Sequence, residues 1–273
     1  MAKKIVFIHG AWVTPLCWEP FRGHFTGLGY DCIAPAWPGK ERTVEAIRAD
    51  PSPLEGLGIG EIVDHYARII EQLDQPPILI GHSFGGMFVQ ILLDRGLGAA
   101  GVAIDPAPPR GVLIYEPTAF RALASVLLTW RGWRKVVRWS YANFRYAFVH
   151  TLPEADARSA YDTQVTPETG RIFFQGGLTA FDGKSPATVN YLNASRAPLL
   201  LIAGAQDRIV PPSVNRRNYK RYAGSAAVTD FREFPGRTHW IIAQPGWEEV
   251  AAYISEWLVS RTGSGALGSA ANG

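Results

Sequence analysis

The amino-acid sequence predicts an α/β protein with a mostly parallel β-sheet that is covered by helices on both faces. Short apolar runs alternate with helical patterns along most of the chain, and this alternation is typical of parallel sheets. The apolar runs have the length of buried strands and are bounded by glycine or proline. The six predicted strands span residues 5–8, 31–36, 78–80, 101–104, 198–203 and 228–234.

The predicted helices lie between these strands or after the last of them. The clearest one has Ile62, Tyr66 and Ile69 at spacings of four and three residues, which places them on one helical face. It ends before Pro76, since proline cannot continue a helix. The predicted helices span residues 17–29, 61–74, 84–94, 213–222 and 247–260.

Two stretches do not follow this alternation. Residues 40–59 contain two prolines and two glycines and predict a loop with little regular structure. Residues 106–193 contain no convincing strand, so we interpret them as a helical insertion between two strands of the sheet. The sequence therefore predicts a core from residues 1–105 and 194–261, a helical cap from 106–193, and a disordered tail rich in glycine and alanine at 262–273.

The composition excludes several classes of protein. With 273 residues, of which 47% are hydrophobic, the chain can bury a sizeable core. Its net charge of +3 is too small for the basic surface of a typical nucleic-acid-binding protein. The first apolar run is too short for a secretory signal, and no stretch reaches the length of a membrane span. We therefore expect a cytoplasmic protein with no nucleic-acid partner, in which Cys17 and Cys32 are reduced thiols.

The motif that most clearly indicates catalytic chemistry is Gly81-His82-Ser83-Phe84-Gly85-Gly86, which lies between a predicted strand and a predicted helix. A turn this sharp excludes side chains at its flanks, so glycine is required there. Such a turn exposes the Ser83 hydroxyl at the carboxyl end of the sheet and directs the N–H of Phe84 toward the reacting oxygen. The pattern thus predicts Ser83 as a nucleophile.

A serine hydroxyl is a weak nucleophile unless a base removes its proton. Of the six histidines, His239 is the best candidate because it follows the last predicted strand, which brings it to the sheet edge of Ser83. An acid should orient this histidine, and Asp207 and Asp105 each follow a predicted strand. We favour Asp207 and keep Asp105 as the alternative, since an Asp-Pro turn explains Asp105 without a catalytic role.

The segment His9-Gly10-Ala11-Trp12 directly follows the first predicted strand. By its position, the backbone N–H of Ala11 would complete an oxyanion hole with the N–H of Phe84. No cluster of histidine, cysteine, aspartate or glutamate has metal-ligand spacing, so we expect no metal and no other cofactor. The candidates for the substrate pocket are Trp12, His82, Trp133, Phe144 and Trp240.

Taken in order, these motifs resemble the α/β-hydrolase superfamily, in particular its small capped serine esterases and cofactor-free haloperoxidases. The resemblance covers residues 4–260 and implies a helical cap between the sixth and seventh strands of the family's fold. Epoxide hydrolases and haloalkane dehalogenases of this fold use an aspartate nucleophile, whereas this chain has Ser83. Hydroxynitrile lyases carry a threonine where this chain has Gly10. The segment 34–40 lacks an acid and a glycine that many relatives have. The resemblance therefore does not predict the shape of the loop that follows this segment.

Residues 130–148 of the insertion show an aromatic and a basic face at helical spacing. We interpret them as a cap helix whose aromatic face covers the pocket and whose basic face meets solvent. The alternatives are an interfacial helix that binds membranes and a basic surface that selects an acidic substrate. The aromatic face comprises Trp130, Trp133, Val137, Tyr141, Phe144 and Phe148, and the basic face comprises Arg131, Arg138 and Arg145.

The expected function is hydrolysis of a carboxylic ester, thioester or lactone that carries an apolar or aromatic group, through an acyl-enzyme on Ser83. The expected partner is a small-molecule acyl substrate, with a membrane surface as the less favoured partner. Two other functions stay open, because one fold can host several chemistries. One is a lyase or cofactor-free oxygenase (or perhydrolase) that reuses the same triad, and the other is a hydrolase-like ligand receptor with weak turnover.

Overall fold

The structure is a computed structural model that describes residues 3–177 and 185–262. Six strands form one parallel sheet in the order β2-β1-β3-β4-β7-β8, which confirms the predicted fold class. A second sheet pairs the short antiparallel strands β5 and β6. The strands are β1 (Lys4–Ile8), β2 (Asp31–Ile33), β3 (Ile78–His82), β4 (Ala100–Ile104), β5 (Val136–Val137), β6 (Glu168–Thr169), β7 (Leu199–Gly204) and β8 (Thr229–Phe234).

The described residues form ten α-helices, and helices flank the main sheet. None of these helices combines the length and the apolar composition needed to cross a bilayer. The predicted disordered tail lies outside the described residues apart from Thr262, which ends the last helix. The helices are α1 (Glu19–Gly27), α2 (Val44–Ala49), α3 (Ile59–Glu71), α4 (Phe84–Asp94), α5 (Pro117–Leu127), α6 (Tyr141–Ala147), α7 (Glu154–Gln164), α8 (Arg171–Gly177), α9 (Pro212–Arg221) and α10 (Trp247–Thr262).

The centre of the main sheet is the core of the molecule. Every residue of β3, β4 and β7 is buried, as expected for strands that are covered on both faces. The edge strand β2 is shorter than predicted and ends at Ile33, and its residues are only partly buried or exposed. Helix α4 is buried along nearly its whole length, since it packs on β3 and β4. The burial of α4 places its first residues firmly at the end of the sheet.

The predicted loop at 40–59 contains helix α2, so that prediction is wrong. The Oγ1 atom of Thr43 accepts a hydrogen bond from the N–H of Ala46 at 3.3 Å, which caps the first turn. The side chain of Ile47 is fully buried and anchors the helix in the protein interior. The cap and the apolar anchor explain why a helix forms here, because the prolines that suggested a loop lie beyond its last turn.

The insertion (residues 106–193) contains strands as well as helices, contrary to the prediction. Strands β5 and β6 pair through Val136 with Thr169 and through Val137 with Glu168. The two strands are far apart in sequence and only two residues long, so no local run of alternating residues indicates them. This small sheet ties two distant parts of the insertion together.

Residues 130–148 do not form one helix, so the prediction of a cap helix with an aromatic and a basic face is wrong. Arg131 adopts a left-handed conformation with φ 55°, and a 3₁₀ turn and strand β5 follow it. Helix α6 begins only after Ser140, whose hydroxyl accepts a hydrogen bond from the N–H of Asn143 at 3.3 Å. A Cβ at Gly132 would lie 2.9 Å from the ring of Phe174, so the chain turns where only glycine fits.

The carboxyl ends of the central strands form the edge at which the candidate residues meet. His82 ends β3 and pairs with Ile104, which ends β4, so the two strands finish at the same level. Strands β7 and β8 continue the sheet in the same direction. Loops at this edge of an open α/β sheet are the usual place for a site. The residues in these four loops that carried the predictions are Ser83, Asp105, Asp207 and His239.

Candidate active site

Ser83 occupies a strained turn between β3 and α4. Its backbone has φ 57° and ψ −120°, a conformation that residues other than glycine rarely adopt. The Ser83 N–H donates to the carbonyl of Ile104 at 2.9 Å, which holds the turn against the neighbouring strand. A Cβ at Gly81 would collide with the carbonyl of Gly85, and a Cβ at Gly85 would collide with the carbonyl of Ile8. The flanking glycines therefore permit the close packing that this turn requires.

The loop after β1 (residues 9–14, the β1 loop) lies directly against Ser83. A Cβ at Gly10 would lie only 2.7 Å from the Cβ of Ser83, so a side chain at Gly10 would displace the serine. Ala11 follows and is buried, and among the described residues no hydrogen-bond acceptor faces its N–H. Phe84 is the first residue of α4, and the N–H groups of a first helical turn have no partner within the helix. Two N–H donors thus flank the serine.

His239 and Asp207 form a buried hydrogen bond at the same sheet edge. The Nδ1 atom of His239 lies 2.5 Å from Oδ2 of Asp207, and both side chains are fully buried. The other carboxylate oxygen, Oδ1, accepts the N–H groups of Ile209 and Val210 at 2.7 and 2.9 Å. Since Asp207 can only accept, Nδ1 of His239 carries the proton and its Nε2 offers a lone pair. That Nε2 is buried and has no partner in the described part of the chain.

His82 supports His239 instead of lining the cavity described below. The two rings lie 4.6 Å apart, and Nε2 of His82 donates to the backbone carbonyl of His239 at 2.8 Å. Burial, and then the nearby His239, lower the pKa of His82 well below its ordinary value, so this imidazole is neutral. The ring of Phe148 closes the other side of His239 at 4.7 Å in an edge-on contact. Sequence reasoning did not single out Phe148 as a contact of His239.

Asp105, the alternative acid, has a different set of partners. It follows β4 directly with φ 43°, and its Oδ1 accepts the N–H of Gly204 at 2.6 Å. Burial, and then the negative charge of Asp207, raise the pKa of Asp105 well above its ordinary value. The geometry therefore places Asp207 on Nδ1 of His239, and beside it Asp105 on the N–H of Gly204.

Three side chains at this edge could approach a metal ion. Ligand atoms of His82, Asp105 and His239 lie within 4.8 Å of one another. Nε2 of His82 and Nδ1 of His239 already make the hydrogen bonds described above. The other ring nitrogens, Nδ1 of His82 and Nε2 of His239, and Oδ2 of Asp105 have no hydrogen-bond partner among the described residues.

A small, almost wholly apolar cavity opens at Ser83. Trp12 is the one pocket candidate that lines it, and its ring stacks on Trp139 at 3.4 Å and on Phe173 at 4.4 Å. Ser83 supplies the hydroxyl in an otherwise apolar surface. The lining consists of Trp12, Ser83, Phe84, Met87, Ala107, Pro108, Ile114, Leu123, Leu127, Phe173, Gly176, Ile209 and Val210.

The other pocket candidates lie elsewhere. Trp133 is 44% exposed and packs on Phe174, and Phe144 and Trp240 are buried against each other beside Phe148. The aromatic residues of 130–148 therefore divide between the surface and the interior, because these residues do not form one helix. Leu123 and Leu127 of α5 and Phe173 of α8 line the cavity instead, and the spacing of the apolar residues in these helices is the sequence signal for them.

Comparisons with known proteins place the chain in a family. The crystal structure of a monoacylglycerol lipase from Paleococcus ferrophilus is 25% identical, with a TM-score of 0.65 over 96% of this chain and 97% of that chain. A pyrethroid hydrolase from Sphingobium faniae is 18% identical, with a TM-score of 0.69 over 97% of this chain and 100% of that chain. A methylesterase from Arabidopsis is 14% identical, with a TM-score of 0.66 over 95% of this chain and 100% of that chain.

No curated protein matches the chain at a significant level of sequence similarity. The family model described as the alpha/beta hydrolase family, in contrast, matches residues 5–252, which is nearly the whole chain. The six-stranded parallel sheet and the strained turn at Ser83 agree with that match. The chain therefore belongs to the alpha/beta hydrolase family.

Proposed function

We propose that the protein hydrolyses a carboxylic ester with an apolar group through an acyl-enzyme on Ser83. The observation that carries this proposal is the buried 2.5 Å hydrogen bond between Nδ1 of His239 and Oδ2 of Asp207, which leaves Nε2 as a base with no partner in residues 3–177 and 185–262. This pair lies at the same sheet edge as the strained turn at Ser83. A nucleophile, a base and an orienting acid are the three components that acyl transfer by serine requires.

In the first step, Oγ of Ser83 attacks the ester carbonyl while Nε2 of His239 takes the hydroxyl proton. The carbonyl bond opens to a tetrahedral oxyanion. As that carbonyl reforms, the bond to the alcohol breaks, and the alcohol leaves with the proton from His239. The Asp207 carboxylate stabilises the imidazolium during this step and holds the ring in its working tautomer.

The oxyanion is stabilised by the backbone N–H groups of Ala11 and Phe84. The next N–H in the β1 loop, that of Trp12, donates to the carboxylate of Glu168 at 3.0 Å and is occupied. Ala11 lies between this occupied N–H and Gly10, which packs against Ser83, so we assign its N–H as the donor of the β1 loop, and Phe84 adds the positive end of helix α4. In the second step His239 takes a proton from a water molecule that attacks the acyl carbon. The bond from that carbon to Oγ of Ser83 then breaks, the acid leaves, and His239 returns the proton to Ser83.

The substrate class follows from the cavity. Its lining is apolar apart from Ser83, so a hydrocarbon or aromatic group binds there and a charged group is disfavoured. The monoacylglycerol lipase that is 25% identical to this chain supports an ester with an apolar chain. The same cavity and the same two steps also serve a thioester or a lactone, which a substrate panel distinguishes.

Covalent labelling with a fluorophosphonate tests the nucleophile, and a panel of p-nitrophenyl esters, thioesters and lactones tests turnover. We expect the wild type to be labelled at Ser83 and to turn over apolar esters, and Ser83→Ala to lose both. Ser159→Ala, a change at an exposed serine of α7, is the matched control and should behave as the wild type. Labelling that survives Ser83→Ala would refute the nucleophile, and labelling at Ser83 without turnover would favour a lyase, an oxygenase or a receptor.

A further inference from the structure

A fully buried ion pair joins the insertion to the core beside the candidate site. Nζ of Lys40 lies 2.6 Å from Oε2 of Glu168, and neither side chain is exposed to solvent. Lys40 follows β2 in the core, whereas Glu168 belongs to β6 in the insertion. Removing two charges from water costs free energy. The attraction between the charges offsets that cost only where the remaining hydrogen bonds of both groups are also made.

The hydrogen bonds of this pair are complete. Besides Glu168, Nζ of Lys40 donates to the carbonyl of Val13 at 3.0 Å and to Oγ1 of Thr166 at 3.2 Å, which uses all three of its donors. Oε1 of Glu168 accepts the N–H of Thr169 at 2.9 Å. Burial lowers the pKa of Lys40, and the Glu168 carboxylate partly offsets that shift.

These bonds converge on the β1 loop. Oε2 of Glu168 accepts the N–H of Trp12 at 3.0 Å, and the carbonyl of Trp12 accepts the N–H of Thr166 at 2.8 Å. Trp12 has φ 63°, a conformation that persists in a residue other than glycine only where its surroundings enforce it. Both backbone groups of the strained residue are thus held by the segment 166–168, and Lys40 holds the next carbonyl.

We propose that Lys40 and Glu168 are positioning residues that fix Trp12 and thereby aim the N–H of Ala11 at the oxyanion site beside Ser83. This inference rests on the proposed function. Ala11 lies between Gly10, which packs against Ser83, and Trp12, so the peptide that carries its N–H is set from both sides. Lys40 also neutralises the Glu168 carboxylate, which would otherwise oppose a negative charge developing nearby.

The test uses two variants and compares each of them with the wild type. The first is a double variant that carries both Lys40→Met and Glu168→Leu, and the second is the single variant Glu168→Gln. Apolar replacement of a buried pair often leaves stability unchanged, so the double variant separates positioning from folding. Glu168→Gln keeps an oxygen for the N–H of Trp12 and serves as the conservative rescue. Glu61→Gln is the matched control, because Glu61 of α3 forms an exposed pair with Arg171 of α8 that also joins core and insertion.

The measurements are kcat and KM on a p-nitrophenyl ester, the affinity of a boronic-acid transition-state analogue, and the thermal midpoint. We expect the double variant to lose about 10- to 100-fold in kcat with KM changed less than about twofold, since misaimed donors act on the transition state. The affinity for the analogue should fall in parallel. Glu168→Gln should lose less, about three- to tenfold, and Glu61→Gln should match the wild type.

Two results would overturn the proposal. One is a folded double variant that retains wild-type kcat, and the other is a loss of kcat with unchanged affinity for the analogue, which would mark the pair as structural. If the double variant does not fold, wild-type kcat and analogue affinity in Glu168→Gln would overturn it as well. Absence of labelling and turnover in the wild type would be a different failure, since it would remove the proposed function on which the inference rests.

Discussion

The imidazole rings of His82 and His239 lie 4.6 Å apart, and Nε2 of His82 donates to the backbone carbonyl of His239 at 2.8 Å. Because His82 directly precedes Ser83, this bond ties the turn that carries the serine to the loop that carries the histidine. The separation of the two loops therefore depends on one buried hydrogen bond as well as on the sheet between them.

Under the proposed function, in which His239 is the base, replacing His82 should misplace His239 without removing it. His82→Phe keeps a ring in the same space but leaves the His239 carbonyl without its donor, so we expect kcat to fall by about tenfold or more. His82→Gln restores an N–H at a similar reach and should recover part of the rate. Steady-state kinetics on the preferred ester measure both variants, and equal rates for His82→Phe and the wild type would contradict the prediction.

The two aspartates at the sheet edge should differ sharply in their effect on the rate. Asp207→Asn removes the charge that orients His239 and should lower kcat by about 10³- to 10⁴-fold. Asp105→Asn keeps an oxygen that can still accept the N–H of Gly204 and leaves the bond between Asp207 and His239 in place, so its rate should stay within about threefold of the wild type. Kinetics on both variants decide the matter, and a larger loss from Asp105→Asn would make Asp105 the catalytic acid.

Acid should destabilise the fold through two buried histidines. Burial is the main cause that lowers the pKa of His9 and His82 well below the ordinary value, so the folded chain excludes protons that the unfolded chain binds below about pH 6.5. The free energy of unfolding should therefore fall as the pH decreases from about 6.5, by up to about 1.4 kcal/mol per pH unit and histidine. Urea titrations at several pH values measure this slope. The raised pKa of Asp105 contributes the opposite slope in both proteins, so the comparison with His82→Gln isolates the histidine. His82→Gln should show the smaller loss of stability on acidification, and equal slopes in His82→Gln and the wild type would refute the explanation.

Two leucines that are adjacent in sequence should separate substrate selection from surface effects. Leu127 lines the cavity at Ser83, whereas Leu128 is 85% exposed. Leu127→Ala enlarges the cavity and should raise the ratio of kcat/KM for longer over shorter acyl chains by about fourfold for each added methylene, since each buried methylene contributes about 0.8 kcal/mol. Leu128→Ala is the control and should leave the ratio unchanged. An equal shift in both variants would mean that the cavity does not bind the acyl chain.

Two glycines should respond in opposite ways to alanine. A Cβ at Gly10 would lie 2.7 Å from the Cβ of Ser83, so Gly10→Ala should displace the serine and abolish most of the activity. A Cβ at Gly23 in helix α1 meets no atom within 4 Å, and alanine is the better helix former there. Gly23→Ala should therefore raise stability by about 0.5–1 kcal/mol and leave kcat unchanged. An active Gly10→Ala variant would contradict this prediction, because it would show that the β1 loop can shift to make room for a methyl group without displacing Ser83.

The sequence alone was sufficient for features that depend on neighbouring residues. The turn at Ser83 needs glycines at fixed offsets, and the central strands are continuous apolar runs, so both are visible in a short window. The loop after each parallel strand falls at one sheet edge, which is why the order of strands in the sequence predicts Asp207 and His239 at the same edge as Ser83.

Only the tertiary structure decided which distant groups touch. Asp105 and Asp207 each follow a strand, and the hydrogen bond to His239 goes to Asp207 because its loop brings Oδ2 within 2.5 Å of Nδ1. The strands β5 and β6 and the pair of Lys40 with Glu168 depend on residues that are remote in sequence. Such contacts form only when the whole chain packs, because burial sets both their cost and their strength and no local pattern encodes them.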